Sequence, residues 1–140
     1  MPMLVNRKAY QLAKAARDLG EKQLKLQGIE LPFPLLSLLQ QVELMESCTA
    51  QKLAKQLGRD KALLSRMVSK LERQGYVTRA ASEADKRAII ITLTEQGAAA
   101  AKGFERMEQE LHRTLTAGLT SEQLSQFDAL MDSMLANLNS

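Results

Sequence analysis

The sequence predicts a mainly α-helical fold with one small β-hairpin, in a single domain that spans residues 1–140. Over most of the chain, apolar residues recur at spacings of three and four, which is the periodicity of a helix with one buried face. Between residues 76 and 93, β-branched and aromatic residues instead lie on either side of a polar connector. This arrangement is typical of a hairpin.

The first two helices are predicted from composition and from the residues that begin and end helices. Residues 4–27 are rich in good helix formers, and Gly28 is placed to end this helix. Pro32 and Pro34 suit the start of a second helix, since proline fits the first helical turn. The apolar face of that helix consists of Leu35, Leu38, Leu39, Val42 and Met45.

Two shorter helices are predicted over residues 50–57 and 61–74. Each follows a residue that caps helices and precedes a glycine. These pairs are Thr49 with Gly58, and Asp60 with Gly75. A small residue, Ala54, lies four positions before the turn glycine Gly58, as a helix-turn-helix requires for the close approach of its helices. An ordinary helical hairpin is the alternative interpretation.

A hairpin follows directly, with strands over 76–79 and 89–93 and a connector over 80–87. Together these elements predict a winged helix-turn-helix over about residues 35–93. Thr94 is placed to cap a long helix over 95–116, with an apolar face of Phe104, Met107, Leu111 and Leu115. A capping box, Thr120 to Gln123, opens a last helix. Its broad apolar stripe contains Leu124, Phe127, Leu130, Met131, Met134, Leu135 and Leu138.

Charge is unevenly distributed along the chain. The formal net charge is only +3, but residues 51–79 hold eight basic residues against two acidic ones. A basic segment on an otherwise mildly acidic chain is the pattern expected of a nucleic-acid-binding surface. Aromatic residues make up 4% of the chain, and Tyr76 alone falls in this segment. Their scarcity argues against a stacking platform for single strands or RNA.

The fourth helix carries the candidate contacts with DNA. Leu64, Val68 and Leu71 are spaced to point inward. The opposite face is small, polar and basic, which suits a major groove about 12 Å wide. It comprises Lys61, Ala62, Ser65, Arg66, Ser69 and Arg73. Arg66 is the best candidate for bidentate contact with guanine, and Leu63 either contacts a thymine methyl group or belongs to the core.

A second motif spans the hairpin and the start of the fifth helix. Asp85-Lys86-Arg87 is followed by Leu93-Thr94 and then by Gly97. This order, D-x-R followed by L-T-x-x-G, resembles the signature of the MarR family of bacterial regulators, and residues 51–79 resemble that family's helix-turn-helix. The resemblance covers nearly the whole chain. It implies a homodimeric, DNA-binding transcriptional regulator with a winged helix-turn-helix.

The resemblance also implies roles for the wing and for the terminal helices. Arg87 would enter the minor groove, Asp85 would hold its guanidinium, and Lys86 would join them on the DNA-binding surface. A surface ion pair without a role in binding is the alternative for Asp85 and Arg87. The dimerisation helices would be residues 4–28 and 95–138, unless they pack only within one chain. A two-fold dimer suits a pseudo-palindromic site.

The resemblance further implies a repressor that a small lipophilic or aromatic ligand releases from DNA; it assigns no residue to the ligand site. Three alternatives remain open: a redox switch through Cys48, a ligand-independent DNA binder, and a winged-helix module for protein interactions. For Cys48 itself, packing as a small hydrophobe is the default interpretation.

We expect neither catalysis nor a cofactor. The sequence offers no nucleophile with a plausible histidine base and no glycine-rich phosphate loop. The one histidine, His112, has no partner at metal-ligand spacing, so no metal site is expected. The sequence has one cysteine, no signal-like stretch at its N-terminus and no apolar run near 18 residues. These features predict a cytoplasmic protein with no membrane partner.

Overall fold

The computed structural model describes residues 2–139 and confirms the mainly helical fold with one antiparallel hairpin. The helices over these residues are α1 (Val5–Leu26), α2 (Phe33–Leu44), α3 (Ala50–Leu57), α4 (Lys61–Arg73), α5 (Glu95–Thr116) and α6 (Ser121–Leu138). The strands are β1 (Val77–Ala81) and β2 (Ile89–Leu93).

The chain forms two compact units, residues 2–108 and residues 109–139. The first unit contains α1 to α4, the hairpin and the larger part of α5, and the second contains the end of α5 and α6. The helix-turn-helix lobe predicted over residues 35–93 lies inside the first unit. The residue bounds predicted for this lobe, for the single domain and for the dimerisation segments stay predictions.

The core of the first unit is built around α2, which buries five of its twelve residues. Leu36, Leu38 and Leu39 are fully buried there. Helices α3 and α4 add Leu53 and the inward face of α4. Between α2 and α5, the rings of Phe33 and Phe104 meet edge to face, with their centroids 5.6 Å apart.

Local capping fixes the helix-turn-helix as the sequence predicts. The Thr49 hydroxyl accepts a 3.1 Å hydrogen bond from the backbone N–H of Lys52 at the start of α3. Gly58 ends α3 in the left-handed conformation, with φ of 60°. A carboxylate oxygen of Asp60 then accepts from the backbone N–H of Ala62, 3.3 Å away, and α4 begins at Lys61, three residues after the turn glycine.

The first strand is displaced from its predicted bounds of 76–79. Tyr76 lies in the turn that follows α4, where its backbone N–H donates to the carbonyl oxygen of Leu71 at 2.9 Å. The strand instead extends to Ala80 and Ala81, which pair with Ile90 and Ile89. Alanine has low strand propensity, and pairing with the two isoleucines overrides that preference. The connector is accordingly residues 82–88 rather than 80–87.

The hairpin is tied to the helices at its base. On one side, the backbone N–H of Ile91 donates to the carbonyl oxygen of Cys48 at 2.8 Å, and Thr49 bridges Ile90. This contact joins β2 to the start of α3. A chain segment therefore covers the outer edge of β2, which an isolated hairpin would leave unpaired.

The L-T-x-x-G part of the motif has a structural explanation at the other side of the hairpin. The hydroxyl of Thr94 donates to the carbonyl oxygen of Gly75 at 2.6 Å and accepts from the backbone N–H of Gly97 at 3.1 Å. A Cβ on Gly97 would lie 2.0 Å from the carbonyl oxygen of Tyr76. Only glycine leaves room at that point for the turn that leads from α4 into β1.

In the second unit, α6 is exposed along most of its length, and Leu124 is half-buried. The predicted capping box is present: Thr120 and Gln123 exchange hydrogen bonds between side chain and backbone. No described residue of α6 is buried. Its large exposed apolar side chains are Phe127, Leu130, Met131, Met134, Leu135 and Leu138. The stripe predicted from the sequence is therefore present, and within one chain it remains open.

Candidate nucleic-acid interface

Helix α4 separates into a buried face and an exposed face, as its spacing predicts. Leu64, Val68 and Leu71 are buried. The exposed residues among the predicted DNA contacts on this helix are Lys61, Ala62, Leu63, Ser65, Arg66 and Arg73. Ser69 is half-buried, and Leu63 is 37% exposed, so Leu63 is not a core residue. The thymine-methyl alternative for Leu63 stays a prediction.

Both carboxylates of residues 51–79 make contacts within the protein. Asp60 uses a carboxylate oxygen to cap α4. The Oε1 atom of Glu72 lies 3.5 Å from Nε of Arg79. The cationic side chains Lys61, Arg66, Lys70 and Arg73 are exposed. A surface of this composition attracts a polyanion at a distance and is sensitive to salt.

Arg79 is a residue of the interface that the sequence reasoning missed. It belongs to β1, opposite the buried Ile91, and its guanidinium donates a hydrogen bond to Oγ of Ser69 on α4. A signal was available: Val77 and Arg79 share one face of β1, and a cation on a strand's inner face requires a partner. Lys70 was also missed, although it lies on the exposed side of α4.

In the wing, Asp85 shapes the turn of the connector. Its Oδ1 accepts a 3.0 Å hydrogen bond from the backbone N–H of Arg87, and its own backbone N–H donates to Oγ of Ser82 at 3.3 Å. Within residues 2–139, no ion pair joins the carboxylate of Asp85 to the guanidinium of Arg87. Lys86 and Arg87 are exposed. The orienting role of Asp85 stays a prediction, and the contact that is present joins its carboxylate to the backbone of Arg87, not to the guanidinium.

A cavity of about 580 Å³ lies between the wing and the first half of α4. Its walls are partly apolar, with Leu64 and Val68 on the helix and Ile89 and Ile91 on the wing. Polar side chains at its boundary are Asp60, Lys61, Ser65 and Arg79. The wing and the helix thus border an open cleft of a size that fits a small organic molecule.

Cys48 is buried, with 2% of its surface exposed, so the packed-hydrophobe interpretation describes its surroundings. Burial raises the pKa of the Cys48 thiol, although the positive charge of Lys52 opposes this effect. A raised pKa lowers the thiolate fraction on which cysteine reactivity depends. His112 is exposed on α5, and residues 2–139 contain no group of three or more possible metal ligands. No described helix is long and apolar enough to cross a membrane.

These elements define a class. The chain has two capped helices joined at a glycine turn, a basic exposed face on the second helix, and a tethered hairpin directly after it. This combination is that of a winged helix-turn-helix protein. The MarR family model matches residues 32–89, which include the whole helix-turn-helix, β1 and the connector, and end at the first residue of β2. Residues 32–89 of this chain form a MarR-family helix-turn-helix region.

Among known proteins, the chain is similar to an organic hydroperoxide resistance transcriptional regulator from Bacillus subtilis, with 34% identity over 97 residues. That match covers 68% of this chain and 65% of the relative, so the chain spans just under two thirds of the relative's length. Among solved structures, a mutant of Escherichia coli MarR complexed with operator DNA is 25% identical, with a TM-score of 0.78 over 94% of this chain and 93% of that one.

A Staphylococcus aureus MepR–DNA complex has a higher TM-score of 0.84 at 20% identity, and the match covers 97% of this chain and 99% of that one. At this identity the likeness shows the fold alone. It supports the winged-helix architecture over nearly the whole length of the chain.

Proposed function

We propose that this chain is a transcriptional regulator that binds double-stranded DNA in a sequence-specific manner and has no enzymatic activity. The observation that carries the proposal is the exposed cationic face of α4, whose neighbouring carboxylates are both engaged. In this proposal α4 enters the major groove and the wing residues Lys86 and Arg87 reach the adjacent minor groove. The E. coli MarR complex with operator DNA supports this assignment. A cytoplasmic location accords with such a role.

The DNA contacts proposed on α4 divide by chemistry. Arg66 reads guanine through its two parallel N–H donors, while Lys61 and Arg73 neutralise phosphates. Ala62 and Ser65 allow the helix backbone to approach the base edges. Each contact on α4 is made twice if the regulator is symmetric, once in each half of a pseudo-palindromic site.

The proposed assembly is a homodimer. Six large apolar side chains of α6 are exposed, Leu138 to 81% and Leu130 to 58%. An exposed apolar stripe of this length indicates an interaction surface. A second copy of the chain is the proposed occupant, because two-fold protein symmetry matches a pseudo-palindromic duplex. Sedimentation at micromolar concentration is expected to give about twice the 15.5 kDa chain mass; a monomer that binds palindromic DNA tightly contradicts the dimer.

The finer function proposed is that of a repressor released by a small lipophilic or aromatic ligand. The support is the cavity of about 580 Å³ between the wing and α4, with its mixed apolar and cationic boundary. A ligand that binds only one spacing of wing and helix shifts the population toward that spacing. Phenolic acids in a thermal-shift screen, followed by displacement of labelled operator, test this step. A ligand that raises the melting temperature without displacing operator contradicts the release mechanism.

Selection of bound duplexes from a random DNA pool tests the central proposal. We expect a pseudo-palindromic consensus, and binding that weakens steeply as salt rises because phosphate contacts release counterions. Failure to enrich any duplex, or salt-insensitive binding, would instead favour a protein-interaction module. The burial of Cys48 argues against the redox-switched alternative.

A further inference from the structure

Among the described residues of the wing, the side chain of Arg79 makes polar contacts with helix α4. Arg79 lies on the inner face of β1, and its side chain is a quarter exposed. Its guanidinium donates to Oγ of Ser69, and its Nε lies 3.5 Å from Oε1 of Glu72. Both partners belong to the second half of α4. A single side chain of the hairpin thus bonds two residues of the helix.

The first half of α4 has no comparable connection with the wing. The cavity of about 580 Å³ lies between them, bounded by Lys61 and Ser65 on the helix and by Ile89 on the wing. Atoms that face a cavity lose the dispersion contacts that would otherwise fix their separation. Apart from the tether at the base of the hairpin, the angle between wing and helix therefore depends on contacts at the cavity's other end, where Arg79 is placed.

We propose that Arg79, Ser69 and Glu72 form a latch that sets the position of the wing relative to α4 and so controls DNA affinity. The proposal rests on the DNA-binding function proposed above, in which Arg66 and Arg87 occupy adjacent grooves at a fixed separation. The latch residues act as positioning residues. In this role Ser69 and Glu72 serve Arg79 rather than the DNA, and Arg79 neutralises the carboxylate of Glu72 beside a polyanion.

The sign of the Glu72→Ala effect distinguishes the latch from simple electrostatics. Removal of a carboxylate near DNA strengthens binding if its charge is all that matters. The latch predicts the opposite: binding weakens about five- to tenfold because Arg79 loses a partner and the wing loses its position. Glu83→Ala is the matched control, because Glu83 is exposed in the wing connector and makes no ion pair within residues 2–139. This control is expected to bind as tightly as the wild type or slightly more tightly.

A mutant cycle tests whether the three residues act together. Ser69→Ala and Arg79→Ala are each expected to weaken DNA binding by about five- to tenfold. When Arg79→Ala is combined with Ser69→Ala or with Glu72→Ala, we expect the double variant to bind no more weakly than Arg79→Ala alone. The salt slopes of Ser69→Ala and Glu72→Ala should equal that of the wild type, since neither loses a phosphate contact. Additive losses mean that the residues act independently, and tighter binding by Glu72→Ala means that only its charge matters; either result overturns the latch.

Hydrogen exchange of the free protein provides a measurement that does not depend on DNA. Amides of residues 80–90 should exchange faster in all three single variants than in the wild type or Glu83→Ala, while circular dichroism shows unchanged helix content. Unchanged exchange in the wing overturns the latch. If the wild type enriches no duplex, the proposed function fails, and exchange still decides whether the latch exists.

Discussion

The hydroxyl of Thr94 donates a 2.6 Å hydrogen bond to the carbonyl oxygen of Gly75, nineteen residues earlier in the chain. The same hydroxyl accepts from the backbone N–H of Gly97. Thr94 therefore caps α5 and, at the same time, holds the turn that ends α4. One side chain links the exit of the proposed recognition helix to the start of the helix that follows the wing.

Thr94→Val is expected to destabilise the fold by about 2 kcal/mol, because it removes the cap and leaves the Gly75 carbonyl without its partner. Thr94→Ser retains the hydroxyl and should remain within about 0.5 kcal/mol of the wild type. Urea unfolding monitored by circular dichroism measures both variants. Equal stability of the valine and serine variants would show that the two hydrogen bonds contribute nothing.

Arg66→Ala should weaken specific DNA binding by about 1–3 kcal/mol and relax the preference at one base pair in each half-site. The reason is the exposed position of Arg66 on α4, opposite the buried face. The measurement is fluorescence anisotropy on the selected operator and on operators altered at single positions. Identical base preferences in variant and wild type would restrict Arg66 to phosphate contact or to none.

Arg87→Ala should lower affinity and flatten the salt dependence by about one unit of slope or more per protomer. Asp85→Ala should also weaken binding, although it removes a negative charge near DNA. Its Oδ1 accepts from the backbone N–H of Arg87, so the variant loses the turn that presents that arginine. Anisotropy titrations at several salt concentrations measure both variants. Tighter binding by a folded, dimeric Asp85→Ala protein would leave Asp85 without a positioning role.

The raised pKa of Cys48 predicts a dependence of stability on alkaline pH. The unfolded thiol titrates near 8.5, and the folded thiol titrates at higher pH because it is buried. Between the two values the unfolded state has lost a proton that the folded state keeps, so stability falls as pH rises. Urea unfolding from pH 7.5 to 10 should show a steeper decline for the wild type than for Cys48→Ala. Parallel curves would mean that the thiol titrates alike in both states.

Helix bounds were predicted best where the signal is local. Helices α3 (Ala50–Leu57) and α5 (Glu95–Thr116) have the bounds that the sequence predicts. A cap such as Thr49 and a glycine such as Gly58 act within four residues of the helix end, so one stretch of sequence contains the whole signal. The burial of Leu64, Val68 and Leu71 followed from helical periodicity for the same reason.

The contacts of Arg79 were not predicted because they depend on tertiary structure. Its approach to Ser69 and Glu72 requires the hairpin register that pairs Arg79 with Ile91, and also the angle at which the hairpin packs on α4. Neither is contained in a local pattern. Likewise, Ala80 and Ala81 were assigned to the connector from propensity alone, whereas pairing with β2 places them in the strand.

The burial of Cys48 also has a practical consequence. It is the chain's one cysteine, and 2% of its surface is exposed. A cysteine introduced at an exposed site, such as Glu83→Cys in the wing connector, is therefore the one readily labelled thiol of the folded chain. In a dimer, a fluorophore at this position on each protomer reports the distance between the two wings without any change to the native Cys48. The same labelled protein can be followed as operator or a phenolic acid is added.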